Sequence, residues 1–151
     1  MHVDYRLNTS SQADIAQHLA QCDAQFIPPL SQRVELDAYA TKLWERAERH
    51  EAWEDGRLIG LLAVYCNDAQ HQRAFITSVS VLAEHVGRGI ARDLLARCIE
   101  QAQNAQFTEV VLEVANDNLP ALRLYQSAGF SLLSDLSPTY MLRLEVASSG
   151  V

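Results

Sequence analysis

Apolar and polar positions along this chain switch repeatedly between a period near two and a period near four. Residues 3–7 read as a short edge strand. Ser10 or Ser11 then caps a helix running through Ile15 and Leu19 to about Cys22. Phe26-Ile27-Pro28-Pro29-Leu30 is a rigid loop, because two prolines forbid helix there. A second helix carries Leu36, Tyr39, Ala40, Leu43, Trp44 and Ala47 on its apolar side. Residues 52–54 and 58–65 form a hairpin closed by Asp55-Gly56. A turn at 67–71 leads into a strand at 75–82, a glycine turn, and a helix with Ile90, Leu94, Leu95, Cys98, Ile99 and Ala102 at helical spacing. A strand at 108–115, a helix at 118–128, and paired strands at 130–136 and 140–146 complete the pattern. The predicted order is β-α-α-β-β-β-α-β-α-β-β, a mixed α/β sheet with helices on both faces. Residues 1–146 are expected to form one domain and 147–151 a frayed tail.

Two segments carry more than scaffold. Asn118 is a good N-cap, Pro120 fits the first turn, and Gly129 fits the left-handed position past the helix end. Tyr125 follows Asn118 by seven residues, roughly two helical turns. Its phenol therefore lies on the side of the cap and faces the gap where strand and helix diverge. Upstream, Gly87-Arg88-Gly89-Ile90-Ala91-Arg92 joins a strand to a helix. Such a turn leaves backbone amides bare at the positive end of a helix dipole, which suits a phosphate or pyrophosphate.

The block N-x-x-A-x-x-L-Y-x-x-x-G-F is filled by Asn118, Ala121, Leu124, Tyr125, Gly129 and Phe130. Together with the strand, glycine turn and helix of residues 79–95, it resembles the GCN5-related N-acetyltransferase family, and the element order matches across nearly the whole chain. The family's turn has Gln or Arg, two residues, Gly, one residue, then Gly or Ala. Gly89 and Ala91 fit, while Val86 stands at the Gln/Arg position. His85, Arg88 and Arg92 are the candidates to supply the missing charge. The resemblance implies an acyl-CoA N-acyltransferase fold with splayed central strands, and acetyl-CoA as acyl donor. It places the pyrophosphate on the amides of Gly87, Arg88, Gly89, Ile90, Ala91 and Arg92. The pantetheine arm would pair like an extra strand with Val79, Ser80 and Val81. Asn118 would touch the pantetheine end, and Tyr125 would approach the thioester sulfur.

Acetylating an amine needs a neutral amine, a polarised thioester and a proton for the departing thiolate. Tyr125 is the candidate acid; the competing reading is a core tyrosine bonded to backbone. Glu113 is the candidate base. Its strand is apolar on both faces, so burial would raise its pKa, and the similar ribosomal-protein alanine acetyltransferases use the equivalent glutamate as base. A water chain is the alternative base, and the competing reading of Glu113 is a glutamate at the sheet's opening that only binds water or pairs with arginine. Phe26, Tyr65 and Asn67, with Tyr39 and Asp68, are candidates to line the acceptor side, and Arg33 could meet an anionic acceptor. The resulting expectation is an N-acetyltransferase that transfers acetyl by direct attack, since no cysteine sits in the motifs. The acceptor would be a small-molecule amine or amino sugar. A protein N-terminal acetyltransferase acting on a peptide acceptor, or a non-catalytic acyl-CoA-binding module, are the alternatives.

Composition narrows this further. The net charge of −7 argues against a nucleic-acid partner. The five histidines lack ligand spacing and the three cysteines are isolated, so no metal is expected. No apolar run reaches membrane-spanning length and no basic-then-apolar leader opens the chain, so a cytoplasmic protein without a membrane partner is expected. The absence of G-x-G-x-x-G excludes a doubly wound dinucleotide-binding domain. The resemblance also admits a homodimer through the last two strands.

Overall fold

The computed structural model describes residues 2–70 and 72–146, so His71 of the predicted turn and the predicted tail lie outside the described residues. The order is β1 (Asp4–Leu7), α1 (Gln12–Cys22), α2 (Leu36–Arg46), β2 (Glu48–Glu54), β3 (Arg57–Tyr65), β4 (Arg73–Val81), α3 (Ile90–Asn104), β5 (Glu109–Ala115), α4 (Leu119–Ser127), β6 (Ser131–Leu136) and β7 (Thr139–Glu145). The mixed α/β order read from the pattern is therefore the observed one. The strands make one sheet in the order β1-β2-β3-β4-β5-β7-β6, antiparallel except for the β4–β5 pair.

Local chemistry sets the helix ends. Ser11 accepts from the Asp14 amide at 3.1 Å while Asp14 accepts from the Ser11 amide at 2.9 Å, a reciprocal cap for α1. Glu35 caps α2 through the Ala38 amide. Between these helices the predicted loop is braced by two single 3-10 turns, Asp23–Gln25 and Leu30–Gln32. The Asp23 carboxylate clasps both the amide (2.7 Å) and the hydroxyl (2.6 Å) of Ser31 across it.

Strand β3 is buried on both faces. Leu62 and Val64 join the core beneath α3, with Leu94, Leu95 and Leu112; Leu61 and Ala63 join the core beneath α1 and α2, with Ile15, Leu19 and Leu43. Each fully buried leucine contributes roughly 1.5–3 kcal/mol. Trp44 departs from its predicted place: it is 49% exposed, and α2 buries Ala40 and Leu43 instead.

Strand β2 is longer than its hydrophobic pattern shows, because its inward positions carry charge. Glu51 is fully buried and accepts from the Thr9 amide and hydroxyl (3.1 and 2.6 Å), the Ser10 amide and hydroxyl (2.9 and 2.5 Å) and the Trp53 indole (3.1 Å). Buried Arg49 lies 3.7 Å from that carboxylate and donates to Ser10 and to the Trp44 and Ala47 carbonyls at the end of α2. The network ties the α1 entrance and the α2 exit to the sheet.

The feature that makes a site is a break in the middle of the sheet. Strands β4 and β5 pair only from Arg73 to Ile76 against Glu109 to Leu112. Opposite this, Ala63 pairs with Ser78 and Val64 with Ile76, which leaves Thr77 as an extra residue in β4. A bulge of this kind bends the strand and increases its twist. Beyond it β4 turns away from β5, and a wedge opens with β4 on one wall, β5 on the other and α4 between.

Candidate active site

The wedge holds a continuous cleft with two halves that share Gln25, Phe26, Val79, Ala121 and Tyr125. The outer half encloses about 380 Å3 between the end of β4, the glycine turn and α4. Of the residues predicted to meet a cofactor, Val79, Ser80, Val81, Gly87, Gly89, Ile90, Ala91 and Arg92 line it. Gly89 is the N-cap of α3 with φ +78° and no side-chain cap, and Gly87 has φ +92°. Only glycine adopts these angles without strain. The first-turn amides of α3 have no intrahelical acceptors, and their residues Ile90, Ala91 and Arg92 line the outer half. The Ser80 hydroxyl is used on the other face of the strand. Nδ1 of buried His18 donates to the Leu58 carbonyl (3.0 Å), so Nε2 accepts from Ser80 (2.9 Å). Burial holds His18 below its ordinary pKa and keeps it neutral.

Val86 is 64% exposed, and the charged groups around the turn differ in what they touch. Arg88 is engaged elsewhere and does not line the cleft: it donates to Glu54 at 2.9 Å and meets His85 Nδ1 at 2.6 Å. Its predicted side-chain role is corrected, because the carboxylate of β2 draws the guanidinium to the opposite side of the turn. Arg92 is the available cation. Its guanidinium folds back over the α3 N-terminus, so close that a Cβ on Gly89 would stand 2.6 Å from Nη2. Its ion pair with Asp93 is long, at 3.6 Å.

The inner half, about 340 Å3, reaches from the bulge across to β5. Tyr125 borders both halves. It is 7% exposed, packs edge-on to Phe130 at 5.8 Å, and its hydroxyl makes no hydrogen bond among the described residues. The reading of a core tyrosine bonded to backbone is therefore not met. Burial pushes the phenol pKa up from its ordinary value of 10, so the proton stays on oxygen at neutral pH. Glu113 also lines this half, but it is exposed, not desolvated as predicted. The reason is register: Leu112 is the last β5 residue paired with β4, so Glu113 is the first to emerge in the wedge. Its carboxylate accepts from the Thr139 hydroxyl at 2.5 Å. Asn118 caps α4 through the Ala121 amide at 3.4 Å and lines the inner half rather than the outer.

On the acceptor side, Phe26 lines both halves. Tyr65 and Asn67 do not line the cleft. Tyr65 pairs with Phe75 at the closed end of β4, under the Lys42 ammonium, and Asn67 reaches the Arg46 carbonyl at the end of α2. Both lie on the zipped side of the bulge. Thr77, Ser78 and Gln25, which line the inner half, lay outside the predicted set. The Tyr39 hydroxyl contacts the Thr77 hydroxyl at 2.7 Å and braces the bulge. The Ser78 hydroxyl is buried in the inner half without a partner among the described residues. With its amide turned to satisfy both groups, Gln25 donates to the Val81 carbonyl (3.1 Å) and accepts from the Ala83 amide (3.3 Å), on the edge of β4 that β5 has left. No sequence signal marks Gln25 or Ser78, since both depend on where the strands part. Among the described residues no group of three or more His, Cys, Asp or Glu is placed to hold a metal, and no helix is long and apolar enough to cross a membrane.

Comparison with known proteins adds to this geometry. The chain is 31% identical over 94 residues to N-alpha-acetyltransferase 30 of Schizosaccharomyces pombe, covering 60% of this chain and 61% of that protein. It is 36% identical over 77 residues to streptothricin acetyltransferase of Streptomyces lavendulae, covering 51% and 40%. The chain spans about half the length of the curated relatives it matches. The fold is shared with the ribosomal-protein-S18-alanine N-acetyltransferase of Escherichia coli, at TM-score 0.77 and 16% identity over 97% of both chains. The model of the acetyltransferase (GNAT) family matches residues 14–130, from the first turn of α1 to the residue before β6, and this chain belongs to that family.

Proposed function

We propose that the protein is an acetyl-CoA-dependent N-acetyltransferase that acetylates a primary amine by direct attack. The observation that carries this reading is the wedge itself, with the unpartnered Tyr125 phenol at its centre and the bare amides of α3 at its outer end. The residues present fit the donor. The glycine turn and Arg92 would hold a pyrophosphate, and the free edge of β4 at Val79 and Val81 would hold an amide-bearing arm. Acetyl-CoA, when bound, supplies the acetyl group as a thioester.

The chain's own groups then divide the work. Main-chain amides of the splayed strand steady the developing oxyanion. As the C–N bond forms and the C–S bond breaks, Tyr125 gives its proton to the departing sulfur and regains one from solvent. Glu113, exposed in the wedge, takes the amine's proton through water. The acceptor is a small molecule by preference, as the name of the streptothricin relative says of that protein; the N-alpha relative supports a peptide amine as the second reading.

The test is acetyl-CoA with a panel of primary amines, scored by release of free CoA thiol and by mass of the product. Turnover is expected to rise with pH as the amine loses its proton. No alkaline decline is expected below a pH of about 10, because burial holds the Tyr125 proton in place. A bell with its alkaline limb near 8 counts against Tyr125 as the acid. Arg92→Ala is expected to raise the KM for acetyl-CoA by about 10-fold with kcat nearly constant, since a charged hydrogen bond to phosphate is made in ground and transition states alike.

A further inference from the structure

The inner half of the cleft is built from unlike materials. Phe26 and Ile27 give it an apolar side, Glu113 stands on β5, and Arg33 enters from the connection between α1 and α2. Arg33 is set apart from most of the chain's cations. Arg6, Arg49, Arg57, Arg73, Arg88, Arg92 and Arg143 each have a carboxylate within ion-pair distance, and Lys42 and Arg97 sit over tyrosine rings. The Arg33 guanidinium has neither among the described residues. Of the acids on the same connection, Asp23 is committed to Ser31 and Glu35 to the first turn of α2.

The backbone that carries it is held, while the side chain itself is exposed. The Arg33 amide donates to the Leu30 carbonyl at 2.9 Å, closing a 3-10 turn that the Asp23–Ser31 clasp holds in place. The guanidinium is close enough to lower the pKa of the Tyr39 phenol, which burial raises on balance, and Tyr39 contacts Thr77 at the bulge. A stiff loop thus presents an unpaired cation at the acceptor end of the wedge, across the same small chamber from a carboxylate. Holding a recognition group in place before binding lowers the entropic cost of binding.

We infer that Arg33 is a specificity-determining residue that selects a small acceptor bearing a carboxylate near its amine, an amino acid or close analogue. This rests on the acetyltransferase reading above. One guanidinium offers one charge and a planar fork, which matches a carboxylate in two parallel hydrogen bonds. Glu113 faces the other end of the same molecule and is complementary to an ammonium. A chamber of about 340 Å3 has room for such a molecule and the apolar wall for its side chain. On a chain of net charge −7, a cation in the chamber gives the acceptor's carboxylate a local counter-charge.

The experiment uses the whole chain, acetyl-CoA and three matched acceptors: an apolar α-amino acid, its carboxamide, and a dipeptide beginning with the same residue. For the wild type, kcat/KM is expected to be at least ~10-fold higher for the amino acid than for its amide. In Arg33→Gln that ratio is expected to fall to near one through a rise of ~10- to 100-fold in the KM of the amino acid, and Arg33→Glu is expected to invert it. Arg33→Lys should recover part of the preference, because the charge returns without the fork. A wild type that favours the amide or the dipeptide, or an Arg33→Gln that slows all three acceptors alike, overturns the inference while leaving the acetyltransferase reading intact. CoA release from none of these or any other amine, with acetyl-CoA bound, sinks that reading and this inference with it.

Discussion

Tyr125→Phe is expected to lower kcat by about 10²-fold or more while leaving the affinity for acetyl-CoA nearly unchanged. The ring fills the junction of the two cleft halves and packs on Phe130, and phenylalanine keeps both contacts. What is lost is one oxygen that bonds to no other described residue, so folding has little reason to suffer. The loss should therefore fall on the step in which sulfur leaves. A low-dielectric site raises the basicity of a departing thiolate as it raises the phenol pKa, so the two remain matched for transfer. Steady-state kinetics with a good amine acceptor, alongside calorimetric titration of CoA, separates the two quantities. Equal kcat in both proteins removes Tyr125 from the chemistry, whereas CoA binding without turnover in either favours a binding module. The same titration with Arg92→Ala should show the opposite pattern.

The second large effect is on stability. Glu51→Gln is expected to cost about 3–5 kcal/mol, a fall in Tm of roughly 6–20 °C for a chain of this size. The carboxylate accepts five hydrogen bonds and faces Arg49 with no exposure to water. An amide of the same shape must turn an N–H toward donors and leaves the guanidinium unpaired inside the protein. The pH dependence follows from the same groups. Burial alone would raise the Glu51 pKa, but the hydrogen bonds from Ser10, Thr9 and Trp53 outweigh it and hold it below its ordinary 4.5. A depressed folded pKa means stability that is fully present above the unfolded value. It is lost as pH falls through the lower folded value. Wild type should thus shed stability steeply below about pH 4.5, and the Gln variant should show a shallower acid limb. Thermal melts from pH 3 to 7 measure both.

Much of this was readable before any coordinates, and the exceptions share a cause. Asn118, Pro120, Tyr125 and Gly129 were legible because caps, prolines and left-handed glycines act over a few residues, so spacing alone places them. The glycine turn was legible for the same reason. Strand β2 was hidden because its inward residues, Arg49 and Glu51, neutralise each other through partners some forty positions away. Glu113 was misjudged because an apolar strand predicts burial only if its neighbour continues, and β4 departs one residue earlier. Arg88 looked like a phosphate ligand until Glu54 was found beside it. Tyr65 and Asn67 were assigned to the cleft from their place in the chain, but the bulge at Thr77 puts them on its closed side. Long-range pairing decides each of these, and hydrophobic periodicity does not encode it.

The hold of Gln25 on the Val81 carbonyl and the Ala83 amide has a bearing on solubility. A strand edge laid bare inside a sheet is a template on which foreign chains can pair and begin to aggregate. The glutamine carboxamide, one donor and one acceptor like a peptide unit, occupies that template while the wedge stands open. An amide-bearing arm that took its place would cover the same edge, and such a ligand would then shield the protein from its neighbours as well.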